Sequence, residues 1–129
     1  MKNCVYKSNW IILPIVLFFL FSYASAQQKQ MKSKNAEFYE SRGLAYHAKG
    51  QYDRAISDYT KALEINPGDA GTYYARGFTY YFKKEYEKSW VDVKKAQSLG
   101  YSIHPKFLED LLNASGTQDR RKSKTLSSG

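Results

Sequence analysis

The segment AEFYESRGLAYHAKGQYDRAISDYTKALEINPGD, residues 36–69, is followed directly by AGTYYARGFTYYFKKEYEKSWVDVKKAQSLGYSI, residues 70–103. Laid over one another at an offset of 34, the two agree at ten positions. These are Ala36/Ala70, Tyr39/Tyr73, Arg42/Arg76, Gly43/Gly77, Tyr46/Tyr80, Lys49/Lys83, Tyr52/Tyr86, Asp58/Asp92, Lys61/Lys95 and Ala62/Ala96. Self-similarity at a fixed period of this length marks stacked supersecondary units, none of which can bury its apolar face alone.

Each unit reads as two helices. In the first unit, Tyr39, Gly43 and Tyr46 recur at spacings of four and three, the period of one helix face. Asn35 is expected to cap that helix, and Gly50 to end it in a left-handed conformation. A second helix is expected from about Tyr52 through Ala55, Ile56, Tyr59, Ala62 and Leu63 to Ile65, ended by Asn66-Pro67-Gly68. Asp69 then caps the next helix, Ala70 to about Lys83, which turns at Lys84-Glu85 into Tyr86–Leu99. Gly43 and Gly77, mid-helix, with Ala55 and Ser89 opposite, leave room for two antiparallel helices to approach closely, the tyrosines filling the gaps around them. A mid-helix glycine costs about 1 kcal/mol against alanine, so close packing is the expected compensation.

These positions resemble the tetratricopeptide repeat family. Its pattern is a large residue at 4, Gly at 8, Tyr at 11, Ala at 20, an aromatic at 24, Ala at 27 and Pro at 32. The first unit supplies Tyr39, Gly43, Tyr46, Ala55, Tyr59, Ala62 and Pro67. The second supplies Tyr73, Gly77, Tyr80, Ser89, Val93 and Ala96, with Tyr101 in place of the proline. The resemblance implies an all-α, right-handed solenoid of antiparallel helix pairs. It also implies a protein-interaction function in which the first helix of each unit lines a concave groove. Carried over position by position, that groove comprises Glu37, Glu40, Leu44, His47 and Ala48, then Gly71, Tyr74, Phe78, Tyr81 and Phe82. Family members that hold chaperone C-termini use a Lys/Asn/Arg carboxylate clamp here. The comparable positions are Glu40, Leu44, Tyr74 and Phe78, so that clamp is absent and its function is not carried over.

Tyr74, Phe78, Tyr81 and Phe82 share one helix face and are not required by the repeat. They either fill the core of a short array or face a partner. On the second reading Phe78→Ala weakens partner binding, while Gly43→Leu unfolds the domain. Beyond the repeats, residues 104–113 carry Pro105 at a first-turn position and an apolar stripe of Phe107, Leu108, Leu111 and Leu112, expected as a capping helix. The segment 114–129 has no apolar periodicity and is expected as a disordered basic tail. Two units with one cap lie near the lower limit for such arrays, so self-association through uncovered helix faces is an alternative.

The N-terminus reads as an export signal, residues 1–26. Lys2 and Lys7 precede the apolar run Trp10–Tyr23, and Ala24-Ser25-Ala26 offers small residues for cleavage between Ala26 and Gln27. The run is shorter than the roughly twenty residues that span a bilayer. The alternative is an uncut signal anchor, which is the only arrangement that brings in a membrane. Cys4, the single cysteine, would leave with the signal, and no disulfide would hold the mature chain. The expected location is the periplasm or the exterior of a bacterial envelope. After a flexible basic segment, 27–35, five helices are expected.

The net charge of +8 lies in the flanks: Lys29, Lys32 and Lys34 on one side, Arg120, Arg121, Lys122 and Lys124 on the other. Residues 36–113 hold eleven basic and eleven acidic side chains, so no basic face suggests nucleic acid. His47 and His104 stand on different elements without metal-ligand spacing, and no phosphate loop or nucleophile motif is present. The expectation is a binding protein with a protein or peptide partner, without catalytic residues, metal or cofactor.

Overall fold

The computed structural model describes residues 9–126, and side-chain surroundings for residues 10–116. Lys2, Cys4 and Lys7 lie outside the described residues. Five helices follow in order: α1 (Asn9–Ala48), α2 (Tyr52–Ile65), α3 (Ala70–Phe82), α4 (Tyr86–Ser98) and α5 (Pro105–Leu126). The chain divides into two compact units, Met1–Lys34 and Asn35–Gly129.

In the first unit the residues from Trp10 onward are helical and exposed, apolar side chains included. Phe21 accepts a hydrogen bond at its carbonyl from Ser25, and Gln27 donates to the Tyr23 hydroxyl. Among the described residues α1 is the one helix long and apolar enough to cross a membrane, by length and composition. Two sequence expectations are corrected here. Residues 27–35 are helical rather than flexible, and Asn35 lies inside α1 rather than capping it. The intervening QQKQMKSKN contains neither Pro nor Gly, so a helix already nucleated propagates through it at little cost.

The second unit contains the repeats. Gly43 faces α2 so closely that an added Cβ would lie 2.8 Å from the Tyr59 ring. Gly77 faces α4, where a Cβ would meet the Ser89 carbonyl at 3.2 Å and Val93 at 3.3 Å. Ser89 stands where the first unit has Ala55, and its buried hydroxyl donates to the Gly77 carbonyl at 2.7 Å. The departure from the repeat pattern is thus a satisfied polar group rather than a packing defect. Ala55, Tyr59, Ala62, Val93 and Ala96 are all buried as their repeat positions imply.

The other consensus tyrosines do not fill interior gaps. Tyr39, Tyr46, Tyr73 and Tyr80 are half-buried, and cations lie over their faces: Arg42 and Lys61 on Tyr39, Arg54 on Tyr46, Arg76 and Lys95 on Tyr73, Lys88 on Tyr80. These rings are half-buried on each helix pair, with a Lys or Arg side chain over each of them.

Two further repeated residues hold each pair together. Arg42 donates to Asp58 at 2.6 and 2.8 Å, and Arg76 to Asp92 at 2.7 and 2.8 Å, each a two-pronged contact between first and second helix. Arg76 also donates to the Thr60 hydroxyl at 3.0 Å, linking α3 to α2 of the preceding unit. Arg42, first by its hydrogen bonds and against the opposing effect of burial, holds the Asp58 carboxyl below its ordinary 3.8. A carboxyl whose folded value lies below its unfolded one stabilises the fold above the unfolded value, and that contribution vanishes as pH falls through the folded one. Thermal melts are therefore expected to lose stability below about pH 3.8, with a shallower acid limb in Arg42→Ala.

The inter-helix turns repeat as well. Gln51, Glu85 and Tyr101 each donate their amide to the carbonyl five residues back, at 2.9, 2.9 and 3.0 Å, and the preceding amides bond three back. These are three Schellman closures, with Gly50, Lys84 and Gly100 in the left-handed position at φ 71°, 64° and 89°. Lys84 alone carries a Cβ there, at a cost of about 1–2 kcal/mol. Lys84→Gly is expected to stabilise the domain by about 1 kcal/mol in urea denaturation, less the extra freedom glycine gives the unfolded chain.

Helix α5 packs on the last unit through Phe107 and Leu111, which form a buried cluster with Val93, Ala96 and, from the connection just before α5, Ile103. The expected capping helix is present, but its end is not at Asn113: α5 continues to Leu126, through residues expected to be disordered. Residues 114–126 contain no proline, and a helix anchored at its start by packing extends without a second nucleation.

Candidate functional site

Within the repeat unit the C-terminal part of α1 and the start of α3 border a cleft of about 330 Å³. Its walls are Glu37, Glu40, Ser41 and Leu44 from α1 and Gly71, Thr72 and Ala75 from α3, with Tyr59 and Asp69 completing it. The helical spacing of four places Glu37, Ser41 and, one turn on, Leu44 along one α1 face. Leu44 is 62% exposed, whereas Tyr59 is 2% exposed and forms the floor. Asp69 is held in place by its cap, accepting from the Thr72 amide at 3.0 Å.

Three carboxyl groups and no Lys or Arg line this cleft. Burial, and then the neighbouring Asp69 and Glu37, push the Glu40 carboxyl above its ordinary 4.5, against the opposing hydrogen bond with Thr72. Burial, with a smaller effect from Glu40, pushes the Tyr59 hydroxyl up to about 12, so it remains a neutral donor. The cleft can therefore offer an apolar floor, an exposed aliphatic side chain and acceptors of hydrogen bonds.

A second group of rings adjoins it along α1 and α3. His47 lies 5.4 Å from Tyr52, 5.7 Å from Phe78 and 5.4 Å from Phe82. Its Nδ1 is 2.9 Å from the Thr79 hydroxyl, whose own hydrogen goes to the Ala75 carbonyl at 2.7 Å. Nδ1 is therefore the donor, and burial lowers the pKa of the ring from 6.5. Phe107 of α5 reaches Tyr74, Phe78 and Tyr81 at 5.8, 5.1 and 5.4 Å. Tyr101, standing where the repeat pattern has proline, stacks on Tyr74 at 5.0 Å.

A family model described as TPR repeat matches residues 43–83. Among solved structures the chain is similar to the first TPR of Spaghetti (RPAP3) bound to HSP90 peptide SRMEEVD. The identity is 28% and the TM-score 0.52, over 53% of this chain and 54% of that one. It is also similar to the second TPR of Spaghetti (RPAP3), bound to the same peptide, at 24% identity and TM-score 0.57. That match covers 72% of this chain and 94% of that one. No curated protein matches. The repeat region belongs to the tetratricopeptide repeat family. This chain spans 54% of the length of the first neighbour, and repeats of this family are protein-interaction elements.

In this TPR domain the sequence-expected groove residues separate into two groups. Glu40 and Leu44 line the cleft together with Glu37 and Gly71. His47, Phe78 and Phe82 join the ring group, and Tyr74, Phe78 and Tyr81 pack on Phe107. Those three rings are half-buried, and Phe82 is 45% exposed, so none of the four is sealed in the core. Sequence reasoning missed Asp69, Thr72 and Tyr59 as cleft residues. Asp69 was legible only as a helix cap and Tyr59 only as a repeat position, because neither role reveals which side chains converge across helices.

Proposed function

We propose that this chain is an exported protein-interaction module, an adaptor or assembly scaffold of a bacterial envelope, that holds a partner peptide in the α1–α3 cleft. The carrying observation is Leu44, an aliphatic side chain 62% exposed beside a cleft floored by a buried tyrosine in a TPR domain. Exposed apolar side chains in a concave site are the kind a partner covers. The mechanism is shape: helices held by Gly43–Tyr59 and Arg–Asp contacts present the cleft without rearrangement.

Leu44→Asp is expected to weaken capture of partner from the native envelope by about tenfold or more while leaving the melting curve unchanged, since burying a charge without a pair is unfavourable. Retained partner in a folded Leu44→Asp protein would remove the cleft as the site. The acidic peptide SRMEEVD held by the two structural neighbours is expected not to bind here. The clamp positions are Glu40, Leu44, Tyr74 and Phe78, with no cation among them.

Export rests on the Ala24-Ser25-Ala26 pattern after an apolar run, and intact mass of the exported protein tests it through loss of residues 1–26. A second reading, a domain tethered by its uncut N-terminal helix, is favoured by α1 running through Ala26-Gln27 without a break. The same mass measurement separates the two.

A further inference from the structure

We propose that Gln27, once cleavage after Ala26 makes it the first residue, closes on its own side chain to a pyroglutamyl lactam. This assignment rests on the export reading and adds a covalent modification to the mature chain. Hydrolysis of the Ala26–Gln27 bond frees an α-amino group on a residue that also carries a primary side-chain amide. The α-nitrogen attacks Cδ, the Cδ–Nε2 bond breaks, and Nε2 departs. Two hydrogens of the α-ammonium go with it, so the products are a neutral lactam N–H and an ammonium ion. The ring is five-membered, no electrons are transferred, and no co-reactant is needed. The chain loses one ammonia in mass and its terminal positive charge.

The surroundings of Gln27 favour this closure. Every residue from Trp10 to Asn35 is exposed, so neither the backbone nitrogen nor the amide is shielded. The Gln27 side-chain amide donates to the Tyr23 hydroxyl at 3.0 Å. Tyr23 leaves with residues 1–26, so the same cut that frees the amine also releases the amide.

Charge acts in the same direction. Helix α1 runs through Gln27 without a break to Ala48. The cut therefore places a cation at the positive end of a helix, where negative charge is the favoured sign. Lys29, Lys32 and Lys34 add to that field, and no Asp or Glu stands before Glu37. Positive surroundings disfavour the ammonium and favour the neutral amine that attacks. The lactam then removes the charge. Its ring restrains the first residue much as proline does in a first helical turn, where the N–H has no intrahelical acceptor to lose.

The test expresses the full chain in its native host and recovers the exported protein for intact mass and Edman sequencing. The expected mass is that of residues 27–129 less one ammonia. Edman degradation is expected to read nothing until a pyroglutamyl aminopeptidase removes the first residue, and then to begin at Gln28. Gln27→Ala is expected to be cut at the same bond, to lose no ammonia, and to sequence directly.

A wild-type chain at the full mass of residues 27–129, read directly from Gln27, would overturn the lactam and leave export standing. Ammonia loss that persists in Gln27→Ala, or a mass beginning at another residue, would overturn the assignment to Gln27. A chain that keeps residues 1–26 would overturn export and the lactam together, because no α-amino group is then freed at Gln27.

Discussion

Gly43→Leu is expected to abolish the cooperative unfolding transition of the repeat domain. An added Cβ at Gly43 would lie 2.8 Å from one carbon of the Tyr59 ring and 3.0 Å from the next. Real Cβ contacts are not that short, so α1 and α2 must move apart. The ring cannot swing aside, because Tyr59 is 2% exposed and packed in place. The remaining leucine carbons would then enter a filled interface. Overpacking a core costs about 1–3 kcal/mol, and more where backbone must shift. A small domain has only about 5–15 kcal/mol in total, and a two-unit array belongs at the low end. Gly43→Ala separates packing from helix propensity. Alanine gains about 1 kcal/mol within a helix, so a net loss in Gly43→Ala measured by urea denaturation would come from the Tyr59 contact. A stable, cooperatively melting Gly43→Leu protein would mean that the two helices do not depend on this approach.

Phe107→Ala is expected to destabilise the domain by about 3 kcal/mol, at the lower end for truncating a buried phenylalanine. Phe107 is 8% exposed and touches three rings of α3 at 5.1–5.8 Å. Its removal leaves a cavity at the junction of α3, α4 and α5 and uncovers Tyr74, Phe78 and Tyr81. The variant should therefore bind an apolar dye such as ANS more strongly under native conditions, besides melting earlier. Phe78→Ala would act largely through the same packing, so its effect on partner binding cannot be read apart from stability; Leu44, outside that cluster, avoids the difficulty. An unchanged melting curve in Phe107→Ala would show that α5 does not cap the solenoid through this residue.

Much of the architecture was legible in the residues. Periodicity placed α2, α3 and α4 within a residue or two, since tandem units of the same length impose the same boundaries twice. Gly50 and Asp69 announced a left-handed turn and a helix cap, and both are present. The N-cap at Asn35 and the disordered segments at 27–35 and beyond 113 failed for one reason. Local signals for starting or stopping a helix are worth about 1 kcal/mol, and extension of a helix already anchored outweighs them. The Arg42/Arg76 and Asp58/Asp92 identities were visible without their meaning. Residues sixteen apart in sequence are joined only once two helices lie side by side.

The amino-acid sequence by itself determined the repeat, the helix pairs, the close approach at Gly43 and Gly77, and the aromatic face of α3. Those depend on spacing along one chain, which sequence states directly. Tertiary structure alone decided what that face does: Phe107 takes three of its rings into packing, and Phe82 turns to His47 and Tyr52. It also decided where the open cleft lies, one step away between α1 and α3, with Asp69 and Tyr59 completing it. A cavity is a property of the gap between helices, and burial and charge there depend on residues that meet only across it.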